Sequence, residues 1–211
     1  MTIKQMTIAP MEIVPVTLEG TYIRLVPPDF KYENDLLQAA QPNEIWEFIA
    51  TSPGQTQAEM HAWIQHAMDE TASGERVWFI VVRKSDERAL GATSYLDIHR
   101  GHRNLEIGGT WLTPEVWRTP INTECKYLLL RHAFENLGCV RVQLKTDLRN
   151  VRSQRAIERL GAVKEGVLRK HMITRTGYVR DSVMYSIIDT EWQDVKHKLE
   201  GFLENSRTVR Q

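Results

Sequence analysis

Segments with strand periodicity and segments with helical periodicity alternate along this chain, and their order restricts its fold more than any other feature. Residues 77–82 and 90–98 are β-rich runs separated only by a short polar turn, which predicts an antiparallel pair. Five more strands are predicted over residues 21–26, 105–112, 141–147, 163–174 and 182–188, and helices near Asp29 and over residues 56–71, 121–136, 150–160 and 191–204. Helices between strands, with hairpins on either side, predict an α/β fold with a mixed sheet.

Composition adds few exclusions. The chain has 211 residues, of which 42% are hydrophobic and 26% charged, close to globular averages. This length favours a single domain over residues 1–211, with residues 1–15 as a poorly structured N-terminal extension. No uncharged apolar run approaches the roughly 18 residues of a membrane span, and no leader peptide is recognisable, so we expect a cytoplasmic protein without a membrane partner. Cys125 and Cys139 are predicted to be free thiols.

Charge is balanced overall but uneven along the chain. The sequence has 27 basic and 27 acidic residues, yet residues 131–180 contain 12 basic and 4 acidic ones, a local excess of +8. Such asymmetry suggests either an anionic ligand or a solvated basic face, and charge alone does not separate the two. No RNA-binding motif accompanies the basic segment, so a nucleic-acid partner is not expected.

Several well-known catalytic signatures are missing. The sequence contains no G-x-x-x-x-G-K-[ST], G-x-G-x-x-G, G-x-S-x-G or H-E-x-x-H motif. His61 and His66 are five residues apart and therefore do not share a helical face, and His99 and His102 have no nearby cysteine. No metal site is predicted.

Three short motifs occur in a fixed order. Residues 105–108 read Leu-Glu-Ile-Gly, residues 121–124 read Ile-Asn-Thr-Glu at a predicted helix start, and residues 150–161 follow the pattern Asn-x-x-Ser-x-x-Ala-x-x-x-Leu-Gly. Between the first two, residues 111–117 read Trp-Leu-Thr-Pro-Glu-Val-Trp. Together these segments resemble the GNAT superfamily of acetyl-coenzyme A dependent N-acetyltransferases. Within it they are most similar to the branch of the ribosomal-protein N-terminal (alanine) acetyltransferases.

The resemblance extends over roughly residues 21–196 and implies a single-domain GNAT-like fold, in which a mixed, mostly antiparallel sheet of about seven strands is flanked by helices. It also implies acetyl-CoA as co-substrate, without a metal. The phosphates of the coenzyme would bind at the helix start near Ile121, where unpaired amides and the helix dipole favour anions.

The phosphate loop departs from the usual family pattern. Glycines normally allow the backbone to approach the phosphates, but residues 117–123 contain none, and Pro120 has no backbone N–H. A positive charge and side-chain hydrogen-bond donors in this segment would replace the lost backbone amides. The candidate coenzyme-binding residues of the segment are Arg118, Thr119, Ile121, Asn122 and Thr123. The alternative is a helix cap without a ligand.

The predicted strand over residues 105–112, which precedes the loop, is expected to bind the acetyl group and the pantetheine arm of the coenzyme. In the family a bulge in this strand frees backbone amides for the acetyl carbonyl and the pantetheine arm, and Gly108-Gly109 is compatible with such a bulge. The amides of residues 109–112, including those of Trp111 and Leu112, are therefore candidates for coenzyme binding. A glycine pair that only relieves packing is the alternative.

The resemblance also suggests two catalytic groups. Glu106 matches the general base that many members use, although a strand glutamate can equally be solvated or salt-bridged. Many members protonate the departing thiolate with a tyrosine, but Ile157 stands at that position. Ser153 is therefore the candidate acid, and Asn150 would bind the pantetheine arm. Alternatively, Asn150 is a helix cap and Ser153 a polar first-turn residue.

The sequence thus predicts an enzyme that moves an acetyl group from acetyl-CoA to a primary amine, by direct attack in a ternary complex. The acceptor would be a peptide N-terminus or a small amine. A non-catalytic acyl-CoA-binding or sensing protein is the alternative, motivated by the missing loop glycines and the missing tyrosine. A homodimer paired through the last strand and helix is compatible with the sequence.

Overall fold

The structure is a computed structural model that describes residues 11–49 and 54–208. Its strands are β1 (Leu18–Glu19), β2 (Ile23–Val26), β3 (Val77–Arg83), β4 (Ala89–His99), β5 (Asn104–Leu112), β6 (Arg141–Asp147), β7 (Val163–Ile173) and β8 (Val179–Ile188). Its α-helices are α1 (Glu33–Ala39), α2 (Gln57–Ser73), α3 (Pro120–Arg131), α4 (Val151–Leu160) and α5 (Trp192–Thr208). A π-helical turn, His132–Asn136, extends α3.

The strands form one sheet in the order β1-β2-β3-β4-β5-β6-β8-β7. Neighbouring strands are antiparallel except β5 and β6, which are parallel and are connected through α3. The predicted α/β fold with a mixed, mostly antiparallel sheet is confirmed. The strand β1 was not predicted, because a two-residue edge strand is too short to show periodicity.

Helix ends follow the capping signals in the sequence. The side chain of Thr56 accepts a hydrogen bond from the backbone N–H of Glu59, and the Glu59 carboxylate accepts one from the Thr56 N–H, which is a capping box. Gly74 ends α2 in the left-handed conformation, at φ +70°. Near Asp29, where a helix was predicted, the chain first makes a 3₁₀ turn over Phe30–Tyr32 and then enters α1.

Each face of the sheet has its own hydrophobic core. One core contains the inward residues of α3, α4 and α5, and the other contains those of α1 and α2. The expected N-terminal extension lies mainly outside the described residues. Within the described residues, Met11 and Ile13 are buried in the first core.

Candidate active site

The candidate site begins where β5 and β6 separate. The two strands pair only over three residues of each, from Asn104 with Arg141 to Glu106 with Gln143. Beyond that point β5 continues to Leu112 along β4, and β6 continues to Asp147 along β8. Residues 107–112 and 144–147 therefore face each other across a gap in the sheet. Peptide groups on both edges of this gap are available to an extended ligand.

A bulge shapes the β5 edge of the gap. The pairing with β4 shifts from Ser94 opposite Gly108 to Ala92 opposite Trp111, so Gly109 and Thr110 together oppose a single residue. Gly109 has φ +60°. A Cβ at this position would lie 2.0 Å from Nη2 of Arg76, so a larger residue would displace that guanidinium as well as adopt a strained backbone conformation. The bulge expected around Gly108-Gly109 is present, one residue further on, at Gly109 and Thr110.

Glu106 lies at the apex of the gap. Its side chain is buried, and Oε2 accepts hydrogen bonds from Nε2 of Gln143 and Nζ of Lys145, both at 2.9 Å. Among the described residues no group donates to Oε1, which lies beside Gly108, 2.7 Å from where a Cβ of that glycine would be. One carboxylate oxygen is thus held by two donors of β6, and the other accepts no hydrogen bond from a described residue.

A cavity of about 420 Å³ adjoins this carboxylate and is lined by Asp97, His99, His102, Asn104, Glu106 and Gln143, among others. Lys145 also lies 3.5 Å from Asp97. A second half-buried cation, Arg76, donates from Nε to Oγ of Ser94 at 2.9 Å. Burial lowers the pKa of Arg76, partly offset by the charges of Glu70, Glu106 and Asp97. The surroundings of Glu106 are therefore polar and of mixed charge.

The predicted phosphate loop forms the start of α3. Thr119 caps the helix: its hydroxyl donates to the carbonyl of Val116 at 2.7 Å and accepts from the N–H of Ile121 at 3.4 Å. Pro120 occupies the first helical position, where an N–H has no partner within the helix. Arg118 is exposed and has φ +61°, a backbone conformation that usually selects glycine. The loop thus contains one residue, Arg118, in the left-handed backbone conformation, although it has no glycine.

The side chains of this loop divide into two groups. Those of Arg118, Thr119 and Asn122 reach the surface at least in part, whereas Ile121 and Thr123 are buried. The buried pair can serve a ligand only through backbone N–H groups. The Arg152 guanidinium of α4 stacks on the Trp117 ring, 3.8 Å from its centroid, and so connects the first turns of α3 and α4.

Two predicted coenzyme contacts, Trp111 and Leu112, have their side chains in the cores. Trp111 packs against Trp46 on one face of the sheet, with ring centroids 5.3 Å apart, and Leu112 is buried on the other face. Only the backbones of these two residues border the gap. Their side chains hold β5 in place between the two cores.

Asn150 and Ser153 meet at the start of α4. Oδ1 of Asn150 accepts from the N–H of Ser153 at 2.9 Å, so Asn150 caps the helix. Ser153 is half-buried, and Ile157, one turn further on, is buried in the core. Just before the helix, Arg149 donates to both carboxylate oxygens of Asp147. Burial opposes ionisation of Asp147, but these hydrogen bonds outweigh it and lower the pKa of its carboxyl group.

Three buried charged residues were not predicted as part of a site. Lys126 of α3 donates from Nζ to Oγ1 of Thr110 at 2.6 Å. Glu124, also on α3, accepts from three backbone N–H groups of residues 21–23. Arg180 of β8 is buried, and its Nε has no partner among the described residues. The available signal for the first two was their place among apolar residues of α3, in the stretch Glu-Cys-Lys-Tyr-Leu-Leu-Leu.

Comparison with known proteins identifies the family. Residues 23–163 match the family described as the Acetyltransferase (GNAT) domain. The chain belongs to this family. This GNAT domain superposes on a solved GCN5-related N-acetyltransferase from Brucella melitensis with a TM-score of 0.86 and 28% identity, over 92% of this chain and 88% of the other.

Two further relatives support the assignment. A protein from T. thermophilus, described as a "putative acetyltransferase", is 40% identical, with a TM-score of 0.82 over 92% of this chain and 100% of its own. The "Putative ribosomal N-acetyltransferase YdaF" of Bacillus subtilis is 31% identical over 111 residues, which are 53% of this chain and 60% of YdaF. The chain thus spans about 60% of the length of this curated relative. The resemblance to the ribosomal-protein branch is confirmed at this level.

Membrane spans and metal clusters are both absent from the part of the chain that the structure describes. Over residues 11–49 and 54–208, no helix combines the length and apolar character that a membrane span requires. Within the same ranges, no group of three or more His, Cys, Asp or Glu side chains is arranged to hold a metal ion.

Proposed function

We propose that this GNAT domain transfers an acetyl group from acetyl-CoA to a primary amine, by direct attack within a ternary complex. The observation that carries the proposal is the gap between β5 and β6, with a buried carboxylate at its apex. A gap of this kind exposes peptide hydrogen-bonding groups to an extended ligand, and Glu106 would act on a group bound at its closed end.

The residues present fit coenzyme A. Its phosphates are anions, and the start of α3 offers a positive dipole end, the N–H groups of the first turn and the exposed guanidinium of Arg118. Thr119 and Asn122 add side-chain hydrogen-bonding groups. The edge of β5 from Gly109 to Leu112 would hold the amide-rich pantetheine arm, with Asn150 and Ser153 across the gap. When bound, acetyl-CoA supplies an acyl group activated as a thioester.

Glu106 would act as the general base. An ammonium group has no lone pair for attack, and a free α-amine titrates near about 7.7–8.0, so removal of a proton promotes the reaction. Oε1 faces away from the donors of β6 and is available to the acceptor, directly or through water. The backbone N–H groups beside the bulge would stabilise the oxyanion that develops on the acetyl carbonyl.

The acceptor is proposed as a peptide N-terminus or a small amine. The name of YdaF points to ribosomal proteins as its substrates, and this favours a peptide. A non-catalytic acyl-CoA-binding protein is the second candidate. It draws support from the loop without glycine and from Ile157, which is buried and apolar where a proton donor is usual.

Steady-state acetylation separates the two functions. Purified protein is assayed with acetyl-CoA and peptide, polyamine and aminoglycoside acceptors, with the released thiol as readout. We expect turnover of at least one class, and we expect Glu106→Gln to lower kcat by about 10²-fold or more, as for loss of a general base. Asp194→Asn, an exposed carboxylate on α5, is the matched control. Coenzyme binding without turnover of any acceptor would instead establish the binding protein.

A further inference from the structure

Lys126 is a buried cation without a carboxylate partner. Its side chain is 7% exposed, and its described hydrogen bond is the one from Nζ to Oγ1 of Thr110. Within the described residues, no carboxylate lies at ion-pair distance from this ammonium group. A buried charge normally has a counter-ion, because removing an ion from water costs several kcal/mol. The fold therefore maintains this cation at a cost in stability.

The position of Lys126 connects it to the gap between β5 and β6. Thr110 belongs to the bulge, in the part of β5 that has no partner strand on the β6 side. Because of the bulge, Thr110 points towards α3, where its hydroxyl meets both Nζ of Lys126 and Oγ1 of Thr93, the latter at 2.7 Å. The ammonium group is thus connected, through the Thr110 side chain, to the edge of β5 that would hold the pantetheine arm of the coenzyme.

Of the other proton donors near the gap, the hydroxyl of Ser153, the candidate acid from the sequence, is half-buried at the start of α4, and the remaining ones are engaged or missing. Ile157 has no polar atom. The hydroxyls of Tyr95 and Tyr185 donate to the carbonyl of Leu129 and to the carboxylate of Glu158. Burial raises the pKa of Tyr185 to about 12, and the neighbouring Glu158 adds to this effect, which makes the phenol a weaker acid.

We propose that Lys126 stabilises the coenzyme A sulfur as it departs and gives it a proton. This inference rests on the proposed acetyltransferase function and assigns to Lys126 the acid role that the sequence suggested for Ser153. In the step, the bond from the amine nitrogen to the acetyl carbon forms and the carbon–sulfur bond breaks. The bonding pair stays on sulfur, which takes a proton from Lys126. The amine loses its proton to Glu106, and exchange with solvent restores both side chains.

The surroundings of Lys126 suit proton release. Burial lowers the pKa of its ammonium group, while the nearby Cys125 and the carboxylate of Glu106 partly offset that effect. The groups around it are the Cys125 thiol on α3, the hydroxyls of Thr110 on β5 and Thr93 on β4, and Glu106 further along β5. Burial raises the pKa of Cys125 to about 11, so this thiol is uncharged at neutral pH.

The test is the ionisation of the coenzyme A thiol in the binary complex with the full chain. Ultraviolet absorption of the thiolate is followed against pH, with the desulfo-coenzyme A complex as blank. A simple thiol has a pKa of about 8.5. We expect a lower value for coenzyme A on the wild-type protein. In Lys126→Met we expect the ionisation constant of the bound thiol to fall by about tenfold or more, because a nearby opposite charge is lost.

Two further variants extend the test. Lys126→Arg keeps the charge but cannot release a proton at neutral pH, so it should keep the low thiol pKa and lose most of kcat. Lys198→Met, the same change at an exposed position of α5, should change neither. Methionine is close to lysine in length and removes a buried charge, so we expect a folded variant; Lys126→Gln serves the same purpose if it is not.

Three results would overturn the inference. A thiol pKa that is equal in the wild type and in Lys126→Met means that the ammonium does not reach the sulfur. If Lys126→Met weakens coenzyme A and desulfo-coenzyme A equally, at an unchanged thiol pKa, Lys126 binds the arm and does not serve the sulfur. If the wild type binds no coenzyme A, the proposed function fails together with the inference, whereas the first two results leave that function standing.

Discussion

Burial determines the reactivity of individual side chains in this domain. Cys125 lies close to the phosphate loop in sequence, where a helix dipole can activate a thiol. The structure instead buries it in the core, and desolvation raises its pKa to about 11. The same effect raises the pKa of Cys139 to about 12, although Arg103 opposes it. Both thiols are therefore protonated at neutral pH.

We predict that the native protein reacts slowly with a thiol reagent at pH 8, and that both cysteines react only after unfolding. Each pKa is raised above its ordinary value of 9.0, so the folded state keeps protons that the unfolded state loses. The resulting contribution to the free energy of unfolding is present below about pH 9 and declines as the pH rises to 11 and beyond. Colorimetric thiol titration checks the first part, and fast labelling of native protein would refute it.

At the scale of elements, α3 depends on a carboxylate clamp. Glu124 accepts hydrogen bonds at 2.6, 2.7 and 2.9 Å from the N–H groups of Thr21, Tyr22 and Ile23. It thereby fixes the helix to the turn between β1 and β2. A Cβ on Gly20 would lie 2.6 Å from this carboxylate, which explains the glycine in the turn.

Glu124→Ala is expected to destabilise the domain by about 1–3 kcal/mol, because it leaves the buried N–H of Ile23 and the less buried N–H groups of Thr21 and Tyr22 without this acceptor. Denaturant unfolding measures the change. Glu75→Ala, which removes an exposed carboxylate, should alter the free energy of unfolding by no more than about 0.5 kcal/mol. Equal effects of the two substitutions would show that the clamp contributes nothing.

The bulge in β5 is expected to depend on glycine at position 109. Gly109→Ala places a methyl group against Arg76 and forces φ +60° on a residue with a side chain. We expect a loss of about 1–3 kcal/mol in stability, typical of backbone strain, and weaker binding of acetyl-CoA. Denaturant unfolding and calorimetric titration of the coenzyme measure the two effects.

Gly201→Ala is the matched control for this glycine. It lies in α5, and no atom would be within 4 Å of a Cβ added there, so alanine should stabilise the helix by about 0.5–1 kcal/mol. If Gly109→Ala has the stability and acetyl-CoA affinity of the wild type, the bulge is not required at this position.

The elements differ in how much of their structure is predictable from sequence. The helix α4 was predicted well, because Asn150 and Gly161 mark its two ends. The predicted helix over residues 121–136 extends as far as expected, but its last turn is π-helical. No local sequence pattern predicts the change from α-helix to π-helix in this turn.

At the scale of the whole molecule, the gap in the sheet depends on pairing between distant strands. Sequence motifs placed Glu106 on the correct strand, but its hydrogen bonds to Gln143 and Lys145 depend on the parallel pairing of β5 with β6. Likewise, the local sequence around Trp111 does not distinguish a side chain that packs in a core from one that contacts a ligand. Lys126 was missed because its position at the site is visible only once α3 packs against the bulge.

The basic segment also becomes clearer at this scale. Among its residues, Arg141 pairs with Glu165, and Arg149 pairs with Asp147. Others, including Arg155, Arg159 and Lys164, are exposed. These two pairs cancel within the segment, so the local excess of +8 lies on its other cations, on a solvated surface and at the start of α4 beside the phosphate loop. This distribution is compatible with a polyanionic coenzyme bound at the adjoining helix ends.

The central claim is that the gap between β5 and β6, together with the glycine-free loop, binds acetyl-CoA. Isothermal titration of acetyl-CoA into the wild type, Arg118→Ala, Asn122→Ala and Glu106→Gln tests it most directly. We predict micromolar affinity for the wild type, at least about tenfold weaker binding for each loop variant because each loses a phosphate contact, and near wild-type affinity for Glu106→Gln. Absence of binding at millimolar acetyl-CoA, or equal affinity in all four proteins, would contradict the account.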